Sequence, residues 1–257
     1  MQNNIIIFIS ELNLENQDLE LKEILNTGNI KKFENLKING NTIYIVSTPI
    51  GNLEDISFRA LFILENVDFI LAEDTRVIIK LLNHYGIKNK IKSNFSLNEK
   101  KNLTGILKEL GEGKSVALVS DAGTPLISDP GNILVKKCIE NETNVVSIPG
   151  ANALIQSVVL SGFESEKFYF QGFLPKKGRE KILQDFKKLK MLIVIYESKY
   201  KIIDLMNNIK RIFPYKKISI SRELTKKFEQ TIRFSSEKFS ENMMKLKGEF
   251  VLIINNF

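Results

Sequence analysis

Residues on which common metal and catalytic sites depend are scarce in this sequence. Its 257 residues include one cysteine, Cys138, one histidine, His84, and no tryptophan. A lone cysteine excludes a disulfide within the chain and is typical of a reducing cytosol. One cysteine and one histidine also exclude the familiar zinc sites and argue against a histidine-based triad. We therefore predict no metal site, and any acid–base chemistry is left to Asp, Glu, Lys or Tyr.

Long hydrophobic runs are missing as well. No apolar run approaches the roughly 18 residues that a membrane-spanning helix needs, so we expect a cytoplasmic protein without a membrane partner. The hydrophobic fraction of 43% and the length of 257 residues suffice for a sizeable core and for two compact domains. The net charge of +7 indicates a polyanionic partner such as nucleic acid. Because Lys, Asn and Ile are frequent throughout, the charge alone does not decide this.

Apolar strands and amphipathic helices alternate along most of the chain. Residues 1–41 stand apart and are interpreted as an accessory extension. Residues 42–161 alternate strand and helix five times, and segment 43–46 is apolar without alternation, as in parallel strands that are buried on both faces. This pattern predicts an α/β domain with a mostly parallel, doubly wound sheet. Residues 168–257 predict a second α/β domain of more antiparallel character, with a helix near 236–245.

One long polar loop dominates the first domain. Segment 119–131 follows an apolar strand and contains two Gly, two Pro and two Asp. In an open α/β sheet, ligands bind where such loops leave the carboxyl ends of strands. Gly123 can adopt a positive φ or let a ligand approach the backbone, whereas Pro125 and Pro130 fix φ and lack an N–H. A simpler role is also open, in which Asp129 caps the next helix with Pro130 at its first position.

Three other polar loops, at 48–52, 73–76 and 149–152, follow strands of the same predicted sheet. In a parallel sheet all four loops open at one edge, as a shared site requires. Three of the four carry Pro close to Gly, which favours recognition of a neutral or zwitterionic ligand by backbone groups. Familiar phosphate-binding patterns are absent: no G-x-G-x-x-G follows the first strand, and segment 111–115 lacks the first glycine and the following helix of a P-loop.

Several motifs resemble those of a known enzyme family. They are Tyr-Ile-Val at 44–46, Thr-Pro-Ile-Gly-Asn-Leu at 48–53, Ala-Glu-Asp-Thr-Arg at 72–76, the loop 119–131, Ile-Pro-Gly at 148–150, Gly-Phe-Leu-Pro at 172–175, Tyr-Glu-Ser at 196–198, Arg-Glu-Leu-Thr-Lys at 222–226 and Lys-Gly-Glu-Phe-Val-Leu at 247–252. In this order they are similar to bacterial 16S ribosomal RNA (cytidine-2′-O)-methyltransferases, within the tetrapyrrole-methylase-like superfamily. The resemblance covers about residues 43–254.

The resemblance implies a function and a cofactor. Members of the family transfer a methyl group from S-adenosylmethionine to a ribose 2′-hydroxyl of small-subunit ribosomal RNA. The superfamily binds this cofactor in a cleft between two α/β domains, and it suggests a homodimer. Two alternatives stay open: a methylase of a small tetrapyrrole-like molecule, and a non-catalytic ribosome-binding protein with the same fold.

The resemblance also implies cofactor-binding positions, which we carry over by motif. They are Pro49, Ile50, Gly51, Asp121, Gly123, Thr124, Pro125, Ile127, Ala151, Asn152 and Phe173. The strand around Phe250 is a further candidate for the adenine side. Where the family usually has Pro-Ser after Pro-Gly, this chain has Ala151 and Asn152, which could alter one cofactor contact.

Methyl transfer to a ribose hydroxyl is an in-line displacement, so positioning should supply most of the rate. A base within hydrogen-bond reach of the hydroxyl would add roughly 10²–10⁴-fold. Asp74, Glu73, Asp121 and Lys226 are the candidates, and we expect Asp74, Arg76 and Lys226 to act in the reaction. Simpler roles are also open: Asp74 could cap its helix, Glu73 could pair with Arg76, Asp121 could brace its loop and Lys226 could bind phosphate.

Basic residues of the second domain are expected to contact ribosomal RNA or the small ribosomal subunit. They are Lys176, Lys177, Arg179, Lys181, Arg222, Lys226 and Lys227. Such phosphate contacts give affinity that falls steeply with salt and does not depend on sequence. The alternative for each of them is a merely solvated lysine surface.

Overall fold

The computed structural model describes residues 36–93, 99–164 and 166–257. Most of the predicted accessory extension lies outside these residues. The N-terminal half contains a five-stranded sheet with the order β3-β2-β4-β1-β5, and every pair of neighbouring strands is parallel. Its strands are β1 (Thr42–Val46), β2 (Phe69–Ala72), β3 (Ile91–Ser93), β4 (Ser115–Val119) and β5 (Asn144–Ile148).

Helices cover both faces of this first sheet. They are α1 (Phe58–Asn66), α2 (Thr75–His84), α3 (Glu99–Gly111) and α4 (Asn132–Glu140). Successive side chains of a strand point to opposite faces. Tyr44 and Val46 therefore join the core beneath α1 and α2, while Ile43 and Ile45 join the core beneath α3 and α4, which includes Cys138. The predicted parallel, doubly wound sheet is confirmed.

Helix termini agree with the sequence pattern at α1 and α2 but not at α4. Ser57 caps α1 by accepting a hydrogen bond from the Ala60 N–H, and Gly86 follows α2 at φ 67°. The capping role considered for Asp129 is wrong, because Gly131 precedes α4 and no side chain caps this helix. Gly131 has a φ of 120°, and the turn leaves Asp129 facing a cavity instead.

The C-terminal half forms a second five-stranded sheet with the order β6-β7-β10-β8-β9. Only the β6–β7 pair is parallel, so the predicted antiparallel character is confirmed. Its strands are β6 (Phe168–Phe173), β7 (Leu192–Ser198), β8 (Lys217–Arg222), β9 (Gln230–Ser235) and β10 (Glu249–Asn255). Helices α6 (Arg179–Phe186) and α7 (Ile202–Ile212) pack on one face of this sheet.

The other face of the second sheet is covered from the N-terminal half. Helix α5 (Ala153–Ser161) packs Leu154 and Val158 against strand residues such as Val194 and Ile253. The division of the chain into domains 42–161 and 168–257 stays a prediction. None of the helices in the described part of the chain is long and apolar enough to cross a membrane.

The helix predicted near residues 236–245 is wrong. That segment contains two single 3₁₀ turns, Ser236–Lys238 and Glu241–Met243. Its buried apolar residues, Phe239 and Met244, are five positions apart and enter the same core, and Ser236 is buried as well. Residues three or four apart share a helix face, so the spacing of Phe239 and Met244 favours two separate turns over one continuous helix.

Candidate functional site

The loops after β1, β4 and β5 meet at the carboxyl edge of the first sheet, as predicted. The backbone groups of Thr48 and Gly123 exchange hydrogen bonds of 2.9 and 3.0 Å. The Thr124 hydroxyl accepts a hydrogen bond from the Ser47 hydroxyl at 3.1 Å and donates to the Ala151 carbonyl at 3.2 Å. These contacts fix the long loop 119–131 between its two neighbours.

The loop after β2 joins the same edge through Asp121, whose carboxylate accepts a hydrogen bond of 3.0 Å from the Asp74 N–H. Asp121 therefore connects the loop 119–131, to which it belongs, with the loop 73–76. Asp74 caps α2, since its side chain accepts from the Arg76 N–H at 2.9 Å. All four loops are therefore held together by direct hydrogen bonds.

A cavity of about 300 Å³ lies between this edge and the second sheet. Seven of the predicted cofactor-binding residues line it: Ile50, Asp121, Gly123, Thr124, Ile127, Asn152 and Phe173. The other four, which belong to the same loops without lining the cavity, are Pro49, Gly51, Pro125 and Ala151. The structure therefore brings most of the predicted residues to one place, and their roles in cofactor binding stay a prediction.

The second half of the chain contributes further lining residues. The sequence assigned no role to Tyr196, Ser221, Glu223 and Leu224, whereas Glu249 and Val251 belong to the strand around Phe250 that was a candidate for the adenine side. The rings of Tyr196 and Phe173 lie 5.7 Å apart and form an aromatic wall. The available signal was that all of these residues except Ser221 lie inside the motifs 196–198, 222–226 and 247–252. These motif residues could therefore have been predicted as the second wall of the cleft.

The cavity is strongly acidic. Five carboxylates and one ammonium group line it, the latter from Lys226. Burial raises the pKa of Glu73, and the neighbouring Asp121, Asp129 and Asp74 raise it further. Burial also raises the pKa of Asp129, assisted by Asp121 and Glu249 and partly offset by a hydrogen bond from Ser120. A cationic ligand would be stabilised here, because it would reduce this repulsion.

Two of the residues expected to act in the reaction lie outside the cavity lining. Asp74 forms an ion pair with Arg76, and the hydrogen bonds from Arg76 lower the pKa of Asp74 to about 2. Such a carboxylate is a poor proton acceptor. The pairing of Glu73 with Arg76 that we considered is wrong. Lys226, the third residue, does line the cavity and pairs with Glu223 at 3.1 Å.

Backbone strain is concentrated in the two loops that border the cavity. Leu126 and Ser128 have φ values of 75° and 71°, and Glu223 and Thr225 have values of 49° and 63°. Each non-glycine residue in this region costs of order 1–3 kcal/mol and persists where the surroundings hold it. Strain of this kind is typical of ligand-binding loops.

The two halves of the chain touch beside the cavity. The Asn52 N–H donates a hydrogen bond of 3.0 Å to the Thr225 hydroxyl. At Gly51, an added Cβ would lie 2.9 Å from that hydroxyl oxygen and 3.0 Å from the Leu224 carbonyl oxygen, and it would also clash with Lys226. Gly51 therefore lets the first half approach the second.

The basic residues expected to contact RNA fall into two groups. Those that are exposed are Lys176, Lys177, Lys181, Lys226 and Lys227. The prediction for Arg179 is wrong, because its side chain is buried between Glu197 at 3.2 Å and Asp204 at 2.9 Å. Arg222 is buried too, at 3% exposure, and borders a second cavity.

We predict that Arg179→Ala lowers stability rather than RNA affinity. The substitution leaves Glu197, which is 1% exposed, as a buried carboxylate without its ion pair. Breaking such a pair from one side costs about 3–5 kcal/mol. Urea denaturation followed by circular dichroism measures the loss. Lys181→Ala on the same helix is the matched control and should change stability little; equal stability of the two variants would refute the prediction.

With the fold and the site in view, comparisons with known proteins define the class of the protein. The model of the family of tetrapyrrole (corrin/porphyrin) methylases matches residues 42–239. Among solved structures, uroporphyrin-III C-methyltransferase from Thermus thermophilus complexed with S-adenosylhomocysteine has a TM-score of 0.61 at 14% identity, over 83% of this chain and 96% of that one. A cobalt precorrin-4 methyltransferase has a TM-score of 0.62 at 16% identity, over 83% and 94%. These two likenesses concern the fold alone.

Closer relatives narrow the family. Ribosomal RNA small subunit methyltransferase I of Halalkalibacterium halodurans is 43% identical over 217 residues, which are 83% of this chain and 75% of that protein. The protein of the same name from Thermotoga maritima is 43% identical over 216 residues, covering 83% and 97%. The chain belongs to the tetrapyrrole methylase family, and within it to the group of the ribosomal RNA small subunit methyltransferase I proteins. The resemblance seen in the motifs is confirmed.

Proposed function

We propose that the protein transfers a methyl group from S-adenosylmethionine to the ribose 2′-hydroxyl of a cytidine in 16S ribosomal RNA. The observation that carries this proposal is the acidic cavity between the two sheets, at the edge where the four loops join. The names of the relatives support ribosomal RNA of the small subunit as the substrate. The motifs support the cytidine and its 2′-hydroxyl.

The residues present fit this cofactor. S-adenosylmethionine carries a sulfonium and an ammonium group, which the carboxylates of the cavity would attract. The volume of about 300 Å³ is at the lower end of the range for small-molecule sites. Gly123 has no Cβ, and a Cβ added at this position would lie 3.1 Å from the Ile50 side chain. The glycine therefore leaves this part of the cavity free for the cofactor. The wall of Phe173 and Tyr196 suits the flat adenine ring.

Glu73 is the residue that we propose as the general base. It is half-buried, lines the cavity and has a raised pKa. A carboxylate with a raised pKa is a better proton acceptor for a ribose hydroxyl than one held near 2, such as Asp74. The Tyr196 hydroxyl stays protonated, because burial raises its pKa to about 12.

The remaining roles concern binding and orientation. When bound, the cofactor supplies an electrophilic methyl group on its sulfonium sulfur. The loop residues Gly123 and Thr124 would hold it against the first sheet, and Lys226 would meet a phosphate of the RNA. Orientation of the hydroxyl and the methyl carbon should supply most of the acceleration, about 7–11 kcal/mol.

Cellular setting and assembly follow from the same proposal. The exposed lysines and the net charge of +7 support an RNA partner. We further propose that the protein is a cytoplasmic homodimer. Each subunit would consist of two domains, residues 42–161 and 168–257. The resemblance to the superfamily supports the dimer, which analytical ultracentrifugation would test.

The test of the function is transfer of labelled methyl groups to small ribosomal subunits from a strain that lacks this gene. We expect label in the RNA, and mapping should find a single ribose methylation on a cytidine. Subunits from a strain that carries the gene are the control and should accept little label. If the cofactor binds but no label reaches the RNA, a small-molecule methylase replaces this proposal.

A further inference from the structure

A second cavity adjoins the first. It is open, has a volume of about 830 Å³, and lies between the loop that joins β8 to β9 and the segment 241–246. The β8–β9 loop borders both cavities: Lys226 lines the first one, and the next two residues, Lys227 and Phe228, line the second. A molecule that entered the first cavity along this loop would therefore also meet the second.

An exposed aromatic ring is the main feature of this second cavity. Phe228 is 61% exposed. The ammonium groups of Lys227 and Lys245 lie 5.9 and 6.0 Å from its ring centroid. Most of this apolar ring faces water, and both ammonium groups lie near it. A ligand with a flat face and negative charge would match the ring and the two ammonium groups at the same time.

The charge balance of this cavity also favours an anion. Arg222 forms the inner wall at 3% exposure; its Nε has no hydrogen-bond partner, and none of the ion pairs among the described residues involves it. A buried guanidinium without a counter-charge is costly. Of the two carboxylates in the lining, Glu229 is already engaged by the Thr225 N–H, and Glu241 is exposed.

We infer that Phe228 stacks on an unpaired nucleobase of the RNA substrate, beside the nucleotide that is methylated. Lys227 and Lys245 would face the phosphates on either side of that base, and Arg222 would add positive charge behind them. Proteins that bind single strands combine aromatic platforms with basic grooves in this way. Bases within an A-form duplex do not offer their faces for stacking. The inference rests on the proposed function and adds that the substrate is single-stranded at this point.

The absence of tryptophan from the sequence makes a direct test available. Phe228→Trp creates a protein with a single indole, placed at the proposed platform. A short single-stranded oligoribonucleotide should quench its fluorescence in a saturable way, whereas the same sequence as a duplex should not. Phe228→Ala should weaken binding of the single strand by ~5-fold or more, as expected from the loss of one stacked base, and leave duplex binding unchanged.

Tyr200→Ala is the matched control. Tyr200 is 83% exposed with the Lys199 ammonium 4.8 Å from its ring centroid, but it lines neither cavity. Its substitution should leave RNA affinity unchanged. Unaltered affinity in Phe228→Ala, or an equal loss for single strand and duplex, would overturn the stacking inference while methyl transfer still stands. A wild-type protein that binds neither RNA would also overturn the stacking inference, whereas the RNA substrate itself is decided by methyl transfer to small ribosomal subunits.

Discussion

Gly123→Val should strongly weaken the binding of S-adenosylmethionine while the protein remains folded. At this position φ is 82°, and a Cβ would lie 3.1 Å from the Ile50 side chain and 3.6 Å from the Ala151 carbonyl oxygen. Two further methyl groups would extend into the space where the cofactor must approach the backbone. Overpacking of this kind costs about 1–3 kcal/mol, so we expect binding to be weaker by roughly 5- to 150-fold in isothermal titration calorimetry.

The control separates blockage from backbone strain. Gly86 has a similar φ of 67°, and a Cβ added there meets nothing within 4 Å. Gly86→Val should lose a comparable amount of stability, about 1–2 kcal/mol for a left-handed valine, and should bind the cofactor normally. If folded Gly123→Val also bound normally, the loop 119–131 would not form the cofactor site.

Glu73→Gln should reduce kcat for RNA methylation by roughly 10²–10⁴-fold, the contribution expected of a general base. The amide has nearly the same shape as the carboxylate but cannot accept a proton. Cofactor binding should persist, since several other carboxylates line the cavity. A variant with wild-type kcat would exclude Glu73 as the base.

The pH dependence of kcat provides an independent check on Glu73. Burial and the neighbouring carboxylates raise the pKa of Glu73, and the base must be deprotonated to act. The wild-type rate should therefore rise with pH through this raised pKa and then level off. Glu73→Gln should lack that rise. Asp74→Asn is the control: Asn still caps α2, the pKa of Asp74 is already about 2, and the rise should remain.

The first half of the site could be predicted from sequence because its geometry is local. Parallel strands such as β1 are apolar on both faces, and the loops at their carboxyl ends share one edge. Once the strands are known, the place where the loops of Thr48 and Gly123 meet is therefore nearly determined. The prediction for Asp129 failed because capping depends on the φ of Gly131, which the identity of a glycine leaves free.

The second half could not be predicted in the same way, because its contribution depends on distant pairings. Tyr196 reaches the cavity next to β10, where it pairs with Val251 in an antiparallel register. The burial of Arg179 likewise depends on Glu197, which lies on another element and comes close only after α6 packs on the sheet. Neither relation leaves a periodic pattern in the sequence.

The cavity is acidic, whereas the surface carries exposed lysines. This difference in charge should direct the methyl donor to the cavity and the RNA to the surface. The carboxylates around Glu73 and Asp129 attract a cationic methyl donor, and they repel the phosphates of RNA from the cavity that binds this donor. They also distinguish donor from product, because methyl transfer turns a sulfonium into an uncharged thioether. We therefore expect the demethylated product to dissociate faster than the methyl donor does. The same carboxylates would then favour both binding of the donor and release of the product.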